Sequence, residues 1–226
     1  MKVAFYISGR AGRLMKYLKS TSPDSHESIK LVISDDVVDP NVRDCLKQSN
    51  ISLVEFPYNE IIGESNKERN GKLSDLILES LQSFGIDYCI SFGSHILSGK
   101  LLDEYKYRLI NFHPALLPMF PGRCAIDQAA AYGNTLLVGN TCHFIDSGVD
   151  TGPIIMQSVI CLAAFEDAGR DYDVVLDLQV EMLKKLLGLL SDGRIEVKDG
   201  HVRISGADYN KSALFPNIPP LHATKF

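Results

Sequence analysis

Over the first half of the chain, short apolar runs alternate with stretches whose apolar residues recur every three or four positions. The runs Lys2–Ser8, Ile29–Ser34, Ile51–Phe56, Ile86–Phe92 and Arg108–Phe112 each have strand length and are rich in β-branched and aromatic residues. Between them, Arg13–Leu18 begins one helix, and Asp39-Pro40 opens another that runs to about Gln48, with Asp39 as cap and proline at the first helical position. Gly71–Phe84 forms a third helical pattern, with Leu73, Leu76, Leu78, Leu81 and Phe84 on one stripe and Gly85 as its stop. Strand–helix alternation of this kind predicts an α/β fold built on a parallel sheet.

Beyond residue 120 the pattern changes. Gly122–Tyr132 reads as a helix closed by Gly133, and Leu136–Ile145 and Ile154–Cys161 suit antiparallel strands, so the sheet is expected to be mixed but mostly parallel, flanked by helices. Tyr172–Leu190 is the longest helical pattern. Ile195–Lys198 and His201–Ile204, joined by Asp199-Gly200, read as a hairpin. Residues 1–205 are therefore expected to form one domain, and 206–226, with three prolines and no periodicity, an extended tail.

Composition narrows the function classes. Twenty-three basic residues against 28 acidic ones give a net charge of −5, which leaves no surplus to neutralise phosphates and argues against a nucleic-acid partner. The five cysteines are widely spaced and include no C-x-x-C pair, so neither a disulfide framework nor a metal site is expected, and reduced thiols point to the cytoplasm. No apolar stretch approaches a membrane span.

Chemistry concentrates in two segments, each following a predicted strand. The first is Asn111-Phe112-His113-Pro114-Ala115-Leu116-Leu117-Pro118-Met119-Phe120-Pro121-Gly122. Ligands of parallel sheets bind outside the carboxyl ends of strands, and a spacing of two puts Asn111 and His113 on one face. The second is Phe144-Ile145-Asp146-Ser147-Gly148-Val149-Asp150-Thr151-Gly152-Pro153, whose glycines permit a tight path that brings Asp150 back to the first segment. Asn, His and Asp together suit acyl transfer to an amine: Asn donates to the oxyanion, a His cation donates as well, and the carboxylate stabilises the imidazolium and steers the proton. Asn and His near a turn are also common structural hydrogen-bonders, and Asp beside Gly is a common turn former. Residue types alone leave both readings open.

The same residues carry a resemblance. The two segments, in this order and separation, together with Ile7-Ser8-Gly9 and Ile86–Leu97, resemble the folate-dependent formyltransferases, most closely the phosphoribosylglycinamide (GAR) formyltransferases. The resemblance implies a single Rossmann-like domain with a seven-stranded mixed sheet, and 10-formyltetrahydrofolate as co-substrate without a metal. It implies that Asn111, His113 and Asp150 are catalytic, and that the pterin lies between His95-Ile96-Leu97 and the loop carrying Asp146 and Val149. It also makes Leu117-Pro118 a candidate cis peptide. Methionyl-tRNA formyltransferase is expected to need a further C-terminal domain, and formyltetrahydrofolate deformylase an N-terminal one.

The acceptor side departs from this pattern. Where GAR enzymes carry a Gly-Ser-Asn phosphate loop, this chain has Arg10 followed by Ala11-Gly12-Arg13. Two arginines can replace the lost donors with charge-assisted phosphate contacts, or can simply face solvent. On the long C-terminal helix, where the family has an acidic residue followed by His, an ungapped count reaches Gln179-Val180. The expected acceptor is therefore the amine of a small phosphorylated molecule, GAR or a nucleotide-linked amino sugar. A non-catalytic folate-binding relative is the rival from another class.

Overall fold

The computed structural model describes residues 1–167, 169, 172–213 and 215. In chain order its elements are β1 (Val3–Ile7), α1 (Gly12–Ser20), β2 (Ile29–Ser34), α2 (Pro40–Gln48), β3 (Ser52–Glu55), α3 (Asn66–Ser83), β4 (Tyr88–Phe92), α4 (Lys100–Glu104) and β5 (Leu109–His113). They continue with α5 (Ala125–Tyr132), β6 (Leu137–Phe144), β7 (Ile154–Cys161), α6 (Leu162–Asp167), α7 (Tyr172–Ser191), β8 (Ile195–Lys198) and β9 (His201–Ile204). Every strand expected from the sequence is present within about two residues.

Seven strands form one sheet in the order β3-β2-β1-β4-β5-β6-β7. Pairing is parallel from β3 through β5 and antiparallel for β5–β6 and β6–β7, so the sheet is mixed and mostly parallel. All five residues of β1 are buried, as a strand covered on both faces requires. Period-two alternation divides it: Val3, Phe5 and Ile7 join a cluster with Leu14, Leu46 and Leu186 of α1, α2 and α7, whereas Ala4 and Tyr6 join Leu73, Ile77 and Leu81 of α3. Two apolar cores, one per face, thus hold the carboxyl ends of β1, β4 and β5 side by side.

Two helices differ from expectation at their starts. α3 begins at Asn66, five residues ahead of Gly71, because Ser65 Oγ caps it by accepting a hydrogen bond from Glu68 N at 3.2 Å. Its first turn, Asn66-Lys67-Glu68-Arg69-Asn70, is wholly polar and shows no stripe to read. α5 begins three residues after Gly122, because Gly122 and Cys124 have positive φ and belong to the preceding loop. The short helices α4 and α6 lie outside the sequence expectation. β8 and β9 pair as the expected hairpin, and 206–213 carries no helix or strand. The rest of the expected tail, 214 and 216–226, lies outside the described residues.

Candidate active site

β5 delivers Asn111 and His113 to one face of the sheet beside β6, where Asn111 stands opposite His143 and His113 opposite Thr141. The loop that leaves β5 is anchored at its middle. Thr141 Oγ1 accepts from Leu117 N at 3.0 Å and donates to Ala115 O at 2.7 Å, and Gln157 Nε2 donates to Leu117 O at 3.0 Å. The Leu117–Pro118 peptide is cis. Pro114, Pro118 and Pro121 restrict the backbone of the loop, which turns back toward β5. It presents two backbone groups there, the Phe120 carbonyl and the Gly122 N–H.

Asp150 meets these groups from the opposite side. Its Oδ2 accepts from Gly122 N at 2.8 Å and lies 3.2 Å from His113 Nδ1. Its Oδ1 lies 3.4 Å from Asn111 Nδ2 and 3.5 Å from His143 Nε2. Asp150 itself has φ 55°, a left-handed conformation rare for a non-glycine residue and frequent at functional sites. The neighbouring glycines serve close approach instead. A side chain at Gly152 would meet Phe144 O at 1.8 Å, and one at Gly148 would meet Thr151 Oγ1 at 2.0 Å. Asp146 ties the loop from within, its Oδ1 accepting from Gly148 N at 3.0 Å and from Thr151 Oγ1 at 2.7 Å.

The electrostatics follow from this packing. Burial opposes ionisation of Asp150, but the hydrogen bond with His143, the Gly122 N–H and the charges of both imidazoles together outweigh it and hold the carboxyl below its ordinary value. His113 is buried, with Nδ1 on the Asp150 carboxylate and Nε2 2.8 Å from the Phe120 carbonyl. Both ring nitrogens thus face acceptors. His143 Nδ1 donates to Phe144 O at 2.9 Å, leaving Nε2 to face Asn111 and Asp150.

A cavity of about 130 Å³ opens beside Asn111, His143 and Asp150. All five residues expected on the donor side, His95, Ile96, Leu97, Asp146 and Val149, line it. Leu97 is buried, whereas Ile96 and Val149 are 60% and 53% exposed, so apolar side chains stand in water at the mouth. His113 is absent from the lining; it lies behind Asp150, committed to the loop. Among the described residues, no group of three His, Cys, Asp or Glu is placed to hold a metal ion.

Residues 1–187 match the family model described as formyl transferase. This chain belongs to the formyl transferase family. It is 33% identical over 198 residues to the human trifunctional purine biosynthetic protein adenosine-3, covering 87% of this chain and 19% of that protein. It therefore spans about a fifth of that relative's length. It is 37% identical over 131 residues to phosphoribosylglycinamide formyltransferase of Bacillus subtilis, covering 56% of this chain and 67% of that one. Among solved structures, glycinamide ribonucleotide transformylase 1 from Symbiobacterium toebii superposes with a TM-score of 0.73 at 26% identity, covering 90% of this chain and 93% of that one.

The residues expected on the acceptor side are placed unequally. Ala11 takes a left-handed φ of 52° and precedes α1, whose first turn has neither a side-chain cap nor an acidic residue. Arg10 is exposed and makes no hydrogen bond or ion pair among the described residues. Arg13 turns inward: Nη1 donates to Phe112 O at 3.2 Å and to Gln179 Oε1 at 3.3 Å, and Nη2 donates to Phe92 O at 3.3 Å. Its guanidinium also lies 4.4 Å from the centre of the Phe92 ring. Burial lowers its pKa to about 10, which leaves it cationic at neutral pH. Gln179 is fixed in turn by a 2.7 Å bond from its Nε2 to Asn140 Oδ1.

His143, Thr141 and Gln157 carry the geometry and were given no role from the sequence. A histidine at the end of β6, directly ahead of Phe144-Ile145-Asp146, was the available signal. Its partner Asn111 is 32 residues away, so only strand pairing reveals the contact.

Proposed function

We propose that this protein transfers a formyl group from 10-formyltetrahydrofolate to the primary amine of a small phosphorylated acceptor, with GAR as the reference acceptor and purine synthesis as the setting. The observation that carries the reading is that Asp150 joins Asn111 and His113, with Asn111 and Asp150 lining a cavity walled by Ile96, Leu97 and Val149. Such a wall suits the faces of a pterin, and the adjoining backbone and polar groups suit its edge. The donor supplies the formyl carbon. The acceptor amine attacks that carbon, the bond from carbon to folate nitrogen breaks, and the proton lost by the amine ends on that nitrogen.

Asn111 Nδ2 donates to the formyl oxygen as negative charge grows there. Asp150, held as a carboxylate and facing His113 Nδ1, relays the amine proton toward the folate nitrogen directly or through a water. Reaching the formyl oxygen requires His113 Nε2–H to exchange its Phe120 carbonyl partner for the substrate, a tightening common when catalytic groups meet their ligand.

A guanidinium carries five N–H donors, and Arg13 spends three on protein groups. The remaining two, beside the uncapped start of α1, suit an acceptor phosphate. A second reading, an amino sugar joined to a nucleoside diphosphate, is favoured by Arg13 and Gln179 standing together where the family pattern expects a small loop residue and an acid. A panel of GAR and nucleotide-linked amino sugars with 10-formyltetrahydrofolate decides between them. Formylation of none, alongside tight folate binding, would establish a binding-only relative and remove the catalytic reading.

A further inference from the structure

The carboxyl ends of β2, β1 and β4 are neighbours in the sheet, and the residues just past them meet at one side chain. Asp35 follows β2 directly and its side chain is only 3% exposed. Its Oδ2 accepts from Tyr6 OH at 2.5 Å and from Ser8 Oγ at 2.6 Å, and faces His95 Nε2 at 3.7 Å. Burial and then the Asp35 charge raise the Tyr6 pKa, so the phenol keeps its proton and donates it. Gly93 clears the way, since a side chain there would meet the Tyr6 ring at 2.0 Å.

Ser8 closes the link between loops. A serine hydroxyl has one proton to give and two acceptor positions. The proton goes to Asp35, which leaves the oxygen to accept from Ser94 N at 2.8 Å and from Ser94 Oγ at 3.1 Å. Ser8 is thereby saturated, and Asp35 decides which way its oxygen points.

The two residues joined in this way belong to different sides of the site. Ser8 opens the turn 8–11 before α1, the side assigned to the acceptor, and is the one side chain of that turn with a hydrogen bond among the described residues. Ser94 opens the segment 94–97 that walls the cavity at Asn111 and Asp150. That segment is pinned again where Ser98 N donates to Ser74 Oγ of α3 at 2.9 Å, and His95 within it stacks on the Tyr58 ring at 3.6 Å. Tyr58 N in turn donates to the Asp35 carbonyl at 2.8 Å. Asp35 itself does not line the cavity at Asn111 and Asp150.

We propose that Asp35 is a positioning residue for both substrates: acting through Ser8, it fixes the spacing between the acceptor turn and the donor wall. The tie is read from the fold alone, and its consequence for substrates rests on the formyl-transfer reading. Reacting atoms must be held about 3–3.5 Å apart, and here they are held by loops from different strands. A tie between those loops replaces two independent positions with one. A change on the acceptor turn is therefore felt by the donor.

Amide hydrogen exchange and titration with folic acid, both on the full chain, test the two clauses. The Ser94 amide bonds to Ser8 and not to Asp35, yet in Asp35→Ala it is expected to exchange about tenfold faster. In Asp35→Asn, which keeps an oxygen acceptor, the rate is expected to stay near that of the wild type. Ser8→Ala, at a half-buried position, covers the case in which Asp35→Ala fails to fold; it is expected to weaken folic acid about tenfold, with Ser8→Thr restoring the affinity. Leu190→Ala, a cavity in the last turn of α7, is the control for lost stability and is expected to bind folic acid as the wild type does. Unchanged exchange at Ser94 in folded Asp35→Ala overturns the proposal. So does wild-type folic acid affinity in Ser8→Ala, or an equal loss in Leu190→Ala. If the wild type binds no folic acid while Asp35→Ala speeds exchange at Ser94, the donor reading fails and takes the positioning role with it, while the tie stands.

Discussion

The two sides of the site are built differently. On the donor side, two loops from distant parts of the chain meet, and the polar atoms at the centre satisfy one another: Asp150 alone engages Gly122, His113, Asn111 and His143. On the acceptor side, one short turn provides the groups, Arg13 is half drawn into the protein, and Arg10 stands in solvent. The difference teaches where preorganisation resides. A carboxylate held by four neighbours cannot drift, whereas a phosphate facing one tethered and one free arginine would be recognised mainly by charge.

The largest effect that sharpens this contrast is expected at the centre. Asp150→Asn and His113→Ala should each lower turnover by about two orders of magnitude or more, with circular dichroism unchanged. Turnover within a few-fold of wild type in either variant would break the contrast by removing that residue from the chemistry. His143→Gln, which acts through the placement of Asp150, should lower kcat by about tenfold while leaving the acceptor KM in place; a rise in KM alone would move His143 to the acceptor side.

On the other side, Arg13→Ala should both destabilise the fold by about 1–3 kcal/mol, because three acceptors lose a donor, and raise acceptor KM more than it lowers kcat. Arg10→Ala should leave the unfolding midpoint unchanged and raise KM modestly. Equal behaviour of the two variants in thermal melts would show that Arg13 is no more embedded than Arg10.

The smallest effect concerns pH. Asp150 has its folded pKa below the unfolded value, so its ionised form contributes stability that is complete above the unfolded pKa and is lost as pH falls through the folded one. Neutral and mildly acidic conditions should therefore leave this contribution intact, and Asp150→Asn should flatten only the acid limb of a stability profile. An acid limb identical to wild type in that variant would mean that the partners of Asp150 do not favour its charge.

Much of the fold was legible because its signals are local. Apolar runs or alternating patterns marked every strand, and Asp39-Pro40 marked the start of α2 with its cap, Asp39 Oδ1 accepting from Asn41 N at 2.8 Å. Where the signal was absent, as in the polar first turn of α3, the boundary was missed. The two loops of the site were also legible, since Asn111 and His113 stand at the end of an apolar strand before a proline-rich loop and Asp150 stands in a glycine-flanked loop after the next strand. Their joining by His143, and the turning of Arg13 toward Phe92, Phe112 and Gln179, were not.

The sequence by itself determined the alternation of strand and helix, the mixed sheet, and which side chains stand at the ends of its strands, because period and punctuation act over a few residues. Tertiary structure alone decided which of those side chains meet. Strand pairing set His143 opposite Asn111, the proline loop brought Gly122 N and Phe120 O onto Asp150 and His113, and the space above Gly93 let Tyr6 reach Asp35. Hydrogen bonds are specific over about 3 Å, and no pattern along the chain carries that distance between residues scores of positions apart.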